Sequence, residues 1–344
     1  MLQRALADFR LEPDLDLAVM QPNQTLASLS SRLFTRIDEA LAELQPDWVL
    51  VQGDTTTVQV AALCAFYRRI PVGHVEAGLR SHDMLAPFPE ELNRRVAGLV
   101  ADLHFAPTDG AARNLYREGV PEAQVRITGN TGIDALLQIA AEVRKAPPPL
   151  PDDIAAFLQR HPRRVLITGH RRENFGDGFQ NICRAISQLA DENPEVGFLY
   201  PVHLNPRVRE PVHQIIRDRA NVLLAEPQEY RSFVHLMDQA TLILSDSGGV
   251  QEEAPSLGKP VLVMREVTER PEGIAAGCAE LVGSSAERIM ERVRALLFDD
   301  ALYARMAQAR NPYGDGMASG RIRDALAAAM GGSLPSGAEP GEMA

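Results

Sequence analysis

Short apolar runs alternate with longer amphipathic stretches along most of the chain. Residues 28–44 carry apolar side chains at helical spacing, and the apolar run at 47–52 predicts a buried strand that leads into a helix at 58–69. Because strands that alternate with helices form parallel sheets covered on both faces, the pattern predicts an α/β fold. The other predicted strands are 70–75, 103–105, 125–128, 164–168, 196–201, 222–224, 242–245 and 261–264.

The length of the chain and a proline-rich segment predict two domains. A chain of 344 residues is long enough for two, since single domains hold about 100–200 residues. The prolines between positions 147 and 151 cannot continue a helix, and we interpret them as the start of a linker. We therefore predict domains at 1–146 and 163–315, a linker at 147–162, and a disordered, Gly- and Pro-rich tail at 331–344.

Composition excludes several classes of protein. The formal net charge is -11, from 35 Lys and Arg against 46 Asp and Glu, whereas a nonspecific binder of nucleic acid or of an anionic membrane carries a basic surplus. Three separated cysteines form no C-x-x-C pair, which predicts no disulfide, no zinc site and a reducing, cytoplasmic setting. No apolar run approaches the ~18 residues of a membrane span. Neither G-x-G-x-x-G nor a P-loop motif occurs, so we expect no cofactor and no metal.

A glycine turn follows the predicted strand at 242–245. Ser247, Gly248 and Gly249 precede a helix, and the glycines let a ligand approach the backbone closely. Free N–H groups and the positive dipole at the start of a helix favour a phosphate or diphosphate there. Glu252 and Glu253, one turn on, can accept hydrogen bonds from sugar hydroxyls. The alternative interpretation is a tight turn whose glutamates only suit the helix dipole.

A basic turn follows the predicted strand at 164–168. His170 and Arg171 bring positive or hydrogen-bonding groups to the carboxyl end of that strand. Ligands bind at this end in open α/β sheets, so the turn is a second candidate anion site. A solvated basic turn without a ligand is the alternative.

Three carboxylates lie at or near consecutive strand-to-helix junctions in the first half of the chain. They are Asp54, Glu76 and Glu90. Because the carboxyl ends of parallel strands share one edge of a sheet, these groups can converge. Each also has a simpler interpretation: Asp54 can cap a helix, Glu76 can pair with Arg80, and Glu90 is a favoured first-turn residue.

Two further side chains are weaker candidates. Phe233 lies near a strand-to-helix junction, where it can stack on a base, although burial in the core is the usual place of a Phe. Arg270 follows the predicted strand at 261–264, where it can clamp a phosphate or a ribose.

These motifs together resemble the non-hydrolysing UDP-N-acetylglucosamine 2-epimerase family. The matching stretches are long, occur in the family's order and cover nearly the whole chain, so the resemblance is specific. They are VQGDTTT (51–57), HVEAGLRS (74–81), PFPEELNRR (87–95), ITGNTGIDAL (127–136), TGHRRENFG (168–176), YPVHLNP (200–206) and SDSGGVQEEAPSLGKPVLVMREVTERPEG (245–273).

The resemblance implies a two-domain GT-B architecture, with the nucleotide sugar in the cleft between Rossmann-like halves and a helix at 316–330 returning to the first domain. It also implies a homodimer, no redox cofactor, and supply of UDP-N-acetylmannosamine for surface polysaccharides. It assigns Asp54, Glu76 and Glu90 as acid/base carboxylates and His170 as the histidine at the diphosphate. On the substrate side it implies Arg94 near the sugar, Gln228 and Phe233 near uracil, Ser247, Gly248 and Gly249 at the phosphate, Glu253 at the ribose, and Arg270 in the C-terminal domain.

One part of the family's pattern is missing from this sequence. The family begins with a strand and a phosphate loop of the G-T-R-P-E-A type, and this chain starts after them. A doubly wound sheet that opens with helical segments also lacks its first βα unit. We therefore expect that unit to be absent, together with an arginine and a lysine that the family uses near the substrate.

The implied reaction is reversible epimerisation at C2 of UDP-N-acetylglucosamine, by loss and re-addition of UDP through a 2-acetamidoglucal. Which carboxylate is the acid and which is the base stays open. Two alternatives also stay open: a GT-B glycosyltransferase, which needs an acceptor, and an inactive or regulatory protein that binds a UDP-sugar.

Overall fold

The structure is a computed structural model that describes residues 6–171, 174–216 and 219–331. The chain divides into two units. The four-stranded unit comprises Pro13–Asp134 and Gly314–Ala344, and the six-stranded unit comprises Met1–Glu12 and Ala135–Tyr313. The predicted disordered tail lies outside the described residues from position 332 onwards, so that prediction stays untested.

The four-stranded unit is built from strands that alternate with helices. Its sheet is parallel and has the order β1-β2-β3-β4. Among the described residues no strand precedes β1, and β1 is hydrogen-bonded to β2 alone. The elements are α1 (Leu26–Leu44), β1 (Val49–Gln52), α2 (Thr56–Tyr67), β2 (Val72–Val75), α3 (Glu90–Val100), β3 (Leu103–Ala106), α4 (Asp109–Arg117) and β4 (Val125–Ile127).

The six-stranded unit follows. Helix α5 (Thr131–Lys145) starts at the end of the first stretch of the four-stranded unit and continues into this one. The later elements are α6 (Asp152–Arg160), β5 (Arg164–Thr168), α7 (Asp177–Glu192), β6 (Gly197–Pro201), α8 (Pro206–Ile215), β7 (Val222–Ala225), α9 (Tyr230–Gln239), β8 (Leu242–Ser245), α10 (Gly248–Glu253), β9 (Val261–Val263), α11 (Pro271–Ala276), β10 (Ala279–Leu281), α12 (Ala286–Phe298), α13 (Asp300–Ala307) and, in the four-stranded unit, α14 (Ala318–Ala329).

The six-stranded sheet has a doubly wound topology. All its strands are parallel, in the order β10-β9-β8-β5-β6-β7. The direction in which the chain adds strands reverses between β5 and β8. In such sheets ligands bind at this switch point, outside the carboxyl ends of the two strands.

Local sequence explains where the helices of the four-stranded unit begin and what they bury. Thr25 and Thr55 cap α1 and α2, because each side chain accepts a hydrogen bond from a backbone N–H three residues on. Helix α1 buries Leu33, Ile37 and Leu41, which recur every four residues and so share one face. These residues pack with buried side chains of β1 and α2 in one core.

The predicted α/β class and all nine predicted strands are confirmed. The sequence missed β10, whose three residues, Ala-Glu-Leu, carry no strand pattern. The predicted linker at 147–162 contains α6, whose Ile154 and Phe157 are buried in the core of the six-stranded unit. None of the helices within the described ranges is both long and apolar enough to cross a bilayer.

Candidate active site

The switch point of the six-stranded sheet brings two of the predicted segments together. Thr168 ends β5 and Ser245 ends β8; the two residues are register partners, and their side-chain oxygens are 2.6 Å apart. The basic turn after β5 and the glycine turn after β8 therefore begin side by side. The backbone N–H of Ser247 donates to Ser245 Oγ at 3.0 Å, which fixes the start of the glycine turn.

A buried carboxylate holds the basic turn. Asp246 is 1% exposed and accepts hydrogen bonds from the backbone N–H of His170, at 3.1 and 2.9 Å, and from that of Arg171, at 2.8 Å. The His170 ring stacks on His203, with centroids 5.1 Å apart. Burial lowers the pKa of His170, and the charge of Asp246 opposes that shift.

Arg171 contributes a donor to this turn. Its Nε is buried and has no hydrogen-bond partner within the described part of the chain. A bound anion can satisfy such a donor, and a buried donor without a partner carries a free-energy penalty. The next residue, Arg172, lies outside the described residues.

Gly248 makes room for an arginine. A Cβ atom at Gly248 would stand 2.7 Å from Cζ of Arg270, so a side chain there would displace the guanidinium group, whereas a Cβ at Gly249 would meet no heavy atom within 4 Å. Arg270 lies across the turn in an ion pair with Glu252, whose Oε1 is 2.7 Å from Nε. Arg270 also pairs with Glu269 at 3.1 Å. The turn therefore combines approachable backbone with an ion-paired arginine whose guanidinium can also bind a diphosphate.

Glu253 occupies a different environment from its neighbour. It ends α10, a helix of six residues that continues as a 3-10 turn at Ala254–Leu257. Burial and the charge of Glu252 raise the pKa of Glu253 to about 7, although a hydrogen bond with Tyr230 opposes the shift. Burial also raises the pKa of Tyr230, which therefore remains a donor.

The two side chains expected near uracil lie between β7 and α9 and on α9 itself. Gln228 donates from Nε2 to the carbonyl oxygen of Glu226 at 2.7 Å. Phe233 is partly buried and packs against the core of the six-stranded unit. Its core contact agrees with the simpler interpretation of this residue, and its part in binding a base stays a prediction.

In the four-stranded unit, Asp54 and Arg94 come together. Arg94 of α3 donates from Nη2 to Asp54 Oδ2, and Asn93 donates from Nδ2 to the carbonyl oxygen of Asp54 at 2.9 Å. The Arg94 side chain is 12% exposed and that of Asp54 is 30% exposed, so water still reaches the carboxylate of this pair. Because Thr55 caps α2, the interpretation of Asp54 as a helix cap is wrong.

Glu76 lies over the turn that carries Asp54. Its Oε2 is 3.6 Å from the position of a Cβ on Gly53. Glu76 has a φ of 64°, a left-handed conformation that strains a residue other than glycine and that clusters at functional sites. Arg80, the partner that the sequence suggested for Glu76, forms an ion pair with Glu118 at 2.6 Å.

His74 connects the turns that carry Asp54 and Glu76. It is 1% exposed, and burial lowers its pKa to about 4. The ring is therefore neutral near pH 7, and its Nε2 donates to the carbonyl oxygen of Gly53 at 2.8 Å. This bond links the ends of β1 and β2, where Asp54 and Glu76 lie.

Glu90 and Glu91 open α3. Oε2 of Glu90 is buried, with no hydrogen-bond partner in the described ranges. Glu91 is fully buried and accepts hydrogen bonds from the N–H of Ser81 and from Arg95, each at 3.0 Å. Burial acts to raise the pKa of Glu91, but these bonds outweigh it and the pKa is lowered. The ionised Glu91 fixes the start of α3, where Glu90 and Arg94 share a face at i, i+4 spacing.

Sequence reasoning gave no role to Asp246 or Glu91, because their functions depend on backbone donors from distant turns. The available signal was weak: Asp246 is an acid directly after an apolar strand, and Glu91 follows an acid already chosen. Across residues 6–171, 174–216 and 219–331, no group of three or more His, Cys, Asp or Glu side chains is placed to hold a metal ion.

Comparison with known proteins identifies the family of this chain. The family model described as "UDP-N-acetylglucosamine 2-epimerase" matches residues 1–327. The chain belongs to this family. It is 51% identical to the UDP-N-acetylglucosamine 2-epimerase of Escherichia coli K12 over 329 residues, which are 95% of this chain and 87% of that protein. The enzyme of the same name from Yersinia pestis is 50% identical, with the same coverage of both chains.

Solved structures of family members have the same fold. The Neisseria meningitidis UDP-GlcNAc 2-epimerase bound to UDP-GlcNAc matches with a TM-score of 0.82 and 45% identity, over 94% of this chain and 88% of that one. The Methanocaldococcus jannaschii enzyme in complex with UDP-GlcNAc and UDP matches with a TM-score of 0.73 and 33% identity, over 94% and 87%.

Proposed function

We propose that this protein interconverts UDP-N-acetylglucosamine and UDP-N-acetylmannosamine by inverting C2 of the sugar. Its membership of the epimerase family supports the reaction. The observation that carries the proposal is the group of carboxylates in the four-stranded unit: Asp54 paired with Arg94, Glu76 over the turn of Asp54, and Glu90 on the helix face of Arg94. A reaction that removes and returns a proton needs such groups.

Elimination avoids a difficult deprotonation. The C2 proton is not next to a carbonyl, so removing it alone leaves an unstabilised carbanion. If a carboxylate takes the proton while the C1–O bond breaks, the C–H electron pair forms the C1–C2 double bond and the oxygen leaves with UDP. Protonation of C2 from the other face and attack of UDP on C1 then give the manno sugar. Asp54, Glu76 and Glu90 are the acids and bases that we propose.

The leaving diphosphate must be stabilised as it departs. We assign this role to the six-stranded unit: the turn of Ser247, Gly248 and Gly249, with Arg270, His170 and Arg171, for the diphosphate. Positive groups and N–H donors that are already in place stabilise developing charge without reorganising. Glu253 is assigned to the ribose, and Gln228 and Phe233 to uracil. The UDP-GlcNAc and UDP in the Neisseria and Methanocaldococcus structures support this ligand class.

We also propose a homodimer that acts in the cytoplasm and supplies precursors for surface polysaccharide. The dimer is supported by exposed apolar side chains on α2 and α3: Phe66 is 55% exposed, Tyr67 68% and Leu99 83%. Exposed large apolar groups favour protein association. The three cysteines are buried free thiols, which fits a reducing compartment.

Deuterium uptake at C2 tests the proposed chemistry. In heavy water with UDP-N-acetylglucosamine alone, we expect the protein to form UDP-N-acetylmannosamine and to exchange the C2 hydrogen. Asp54→Asn or Glu76→Gln should lower the exchange rate at least 100-fold, since acid–base catalysis contributes about 10²–10⁴-fold, while UDP affinity changes less than threefold. Asp109→Asn, an exposed first-turn acid on α4, is the matched control.

The same incubation separates the alternatives. A glycosyltransferase leaves the substrate unchanged without an acceptor, a hydrolysing epimerase releases free N-acetylmannosamine and UDP, and a binding protein shows UDP affinity without turnover. Normal exchange in both the Asp54 and Glu76 variants would exclude the acid–base role of these two residues.

A further inference from the structure

Asp246 lies where the two turns of the six-stranded switch point meet. Its carboxylate accepts hydrogen bonds from two backbone N–H groups of the basic turn: that of His170, which is shared between Oδ1 and Oδ2, and that of Arg171. In sequence it directly precedes Ser247, the first residue of the glycine turn. One buried side chain thus joins the loop after β5 to the loop after β8.

Other side chains hold the same loop. Asn174 is 7% exposed and donates from Nδ2 to Asp246 Oδ2, at 3.4 Å, and to the carbonyl oxygen of Met264, just past β9, at 2.9 Å. Tyr200, on β6, donates from its hydroxyl to the carbonyl oxygen of Gly169 at 2.9 Å. The basic turn is therefore tied to the ends of β6, β8 and β9, with Asp246 making most of the bonds.

We propose that Asp246 is a positioning residue for the epimerisation, which fixes the backbone of His170 and Arg171 relative to the glycine turn that binds the diphosphate. Asp246 is not a catalytic residue, since its oxygens are occupied by backbone donors and it is 1% exposed. The inference rests on the proposed function, because it concerns the geometry of the same site. Misplacing a catalytic group by about 1 Å can cost about 100-fold in rate.

A carboxylate is needed here because only acceptors suit the two converging backbone N–H groups. Asparagine in the same place turns an NH2 group towards at least one of these donors, so a hydrogen bond is replaced by a repulsive contact. The substitution also removes a negative charge whose Oδ1 lies 3.8 Å from Nδ1 of His170. The other charged or titratable groups that act on His170 are His203, stacked on its ring, and Arg171, its neighbour.

Asp246→Asn gives the test, with wild type and Asp134→Asn measured in parallel. Asp134 is the matched control, because its carboxylate also accepts two backbone N–H bonds, from Ala318 at 3.1 Å and Ser319 at 2.7 Å, at the start of α14. We expect Asp246→Asn to lower kcat about 100-fold, with KM for UDP-N-acetylglucosamine and Kd for UDP within threefold. The limb of its pH–rate profile that reports on His170 should move to lower pH, since the charge of Asp246 raises the pKa of His170.

The outcomes separate the two proposals. If wild type and Asp134→Asn form no UDP-N-acetylmannosamine, the proposed function fails. If they are active and Asp246→Asn keeps the wild-type kcat and pH profile, the positioning role is overturned. A merely structural role would lower the melting temperature and leave the pH limb where it was. If Asp246→Asn does not fold, Asn174→Ala tests the positioning role instead. A fivefold or larger loss of kcat at unchanged UDP affinity supports the inference, and an unchanged kcat overturns it.

Discussion

At the scale of single residues, neighbouring carboxylates of this protein lie in different electrostatic environments. Glu252 and Glu253 are consecutive, yet Glu252 pairs with Arg270 whereas Glu253 lies partly buried beside Tyr230, with its pKa raised to about 7. Glu91 is buried more deeply still, and its hydrogen bonds lower its pKa. The number and type of donors around each carboxylate, more than its depth, decide whether it is ionised.

The raised pKa of Glu253 makes folding stability depend on pH. The unfolded carboxyl ionises near 4.5 and the folded one near 7, so between these values the folded state binds more protons and stability falls as pH rises. Glu253→Gln removes the free-energy cost of ionising this carboxyl in the folded state. We therefore expect the substitution to raise the free energy of unfolding by about 1–3 kcal/mol at pH 8 and to change it little at pH 4. Urea unfolding at the two pH values measures the difference.

Glu195→Gln is the control for this prediction. Glu195 is exposed in the loop before β6, so its replacement should leave the pH dependence as in wild type. An equal gain at pH 4 and pH 8 from Glu253→Gln would show that ionisation of Glu253 is not the cause. The same variant should bind UDP more weakly if Glu253 contacts the ribose.

The sequence was sufficient to predict which residues stand at the ends of strands, since Asp54, Glu76, His170 and the glycines all follow apolar runs. It was not sufficient to predict their partners. The pairs Asp54–Arg94, His170–Asp246 and Gly248–Arg270 join residues 22 to 76 positions apart, and no local pattern encodes such contacts. The left-handed backbone of Glu76 was likewise invisible, because nothing in its residue type requires it.

At the scale of elements, side-chain hydrogen bonds satisfy backbone carbonyl groups that lie at the ends of helices and strands. Asn221 is 6% exposed and donates from Nδ2 to the carbonyl oxygens of Ala190, Asn193 and Val196, at 2.9, 3.0 and 3.1 Å. These carbonyls lie at the end of α7 and just before β6, whereas Asn221 directly precedes β7. One amide therefore holds three elements together at the end of the sheet opposite the switch point.

Asn221→Ala should destabilise the protein without affecting its chemistry. The substitution leaves buried carbonyl groups without donors, which costs about 2–3 kcal/mol and lowers the melting temperature by about 5–10 °C. Calorimetry measures the shift, and kcat should stay within twofold. Asn181→Ala is the control, since Asn181 lies on α7 and its side chain accepts an exposed hydrogen bond from Arg184. This variant should change the melting temperature by less than 2 °C. Equal shifts in both variants would refute the role of Asn221.

Element positions were predictable because hydrophobic periodicity is a local property. The exceptions are instructive: β10 has three residues and no alternation, and α6 follows prolines that suggested a linker. In α6 the spacing of Ile154 and Phe157 is helical, and the prolines at 147–149 and 151 only set where the helix starts. Pro151 is the residue before the first turn, a position that proline tolerates.

At the scale of the whole molecule, each unit is assembled from separate pieces of chain. The four-stranded unit takes α14 from the C-terminal part, and the six-stranded unit takes residues 1–12 from the start. Composition and prolines alone assign contiguous domains and cannot find this exchange, although the family resemblance implied that a helix at 316–330 returns to the first domain. In the four-stranded unit, Ile322 of α14 is buried with Val75 and Phe105 of the sheet, and Asp134 caps the start of the helix.

The single tryptophan can report on the packing of α14 against the sheet of the four-stranded unit. Trp48, just before β1, lines a groove of about 410 Å³ together with Ile322 and Leu326, and it is the only tryptophan of the chain. Ile322→Ala should remove about 2–4 kcal/mol of packing and lower the urea midpoint measured by tryptophan fluorescence. UDP affinity should change less than twofold, because the residues that we assign to UDP belong to the six-stranded unit. Asp324→Ala replaces an exposed residue of the same helix and should leave the urea midpoint and the UDP affinity unchanged. An unchanged midpoint for Ile322→Ala would mean that α14 does not stabilise this sheet.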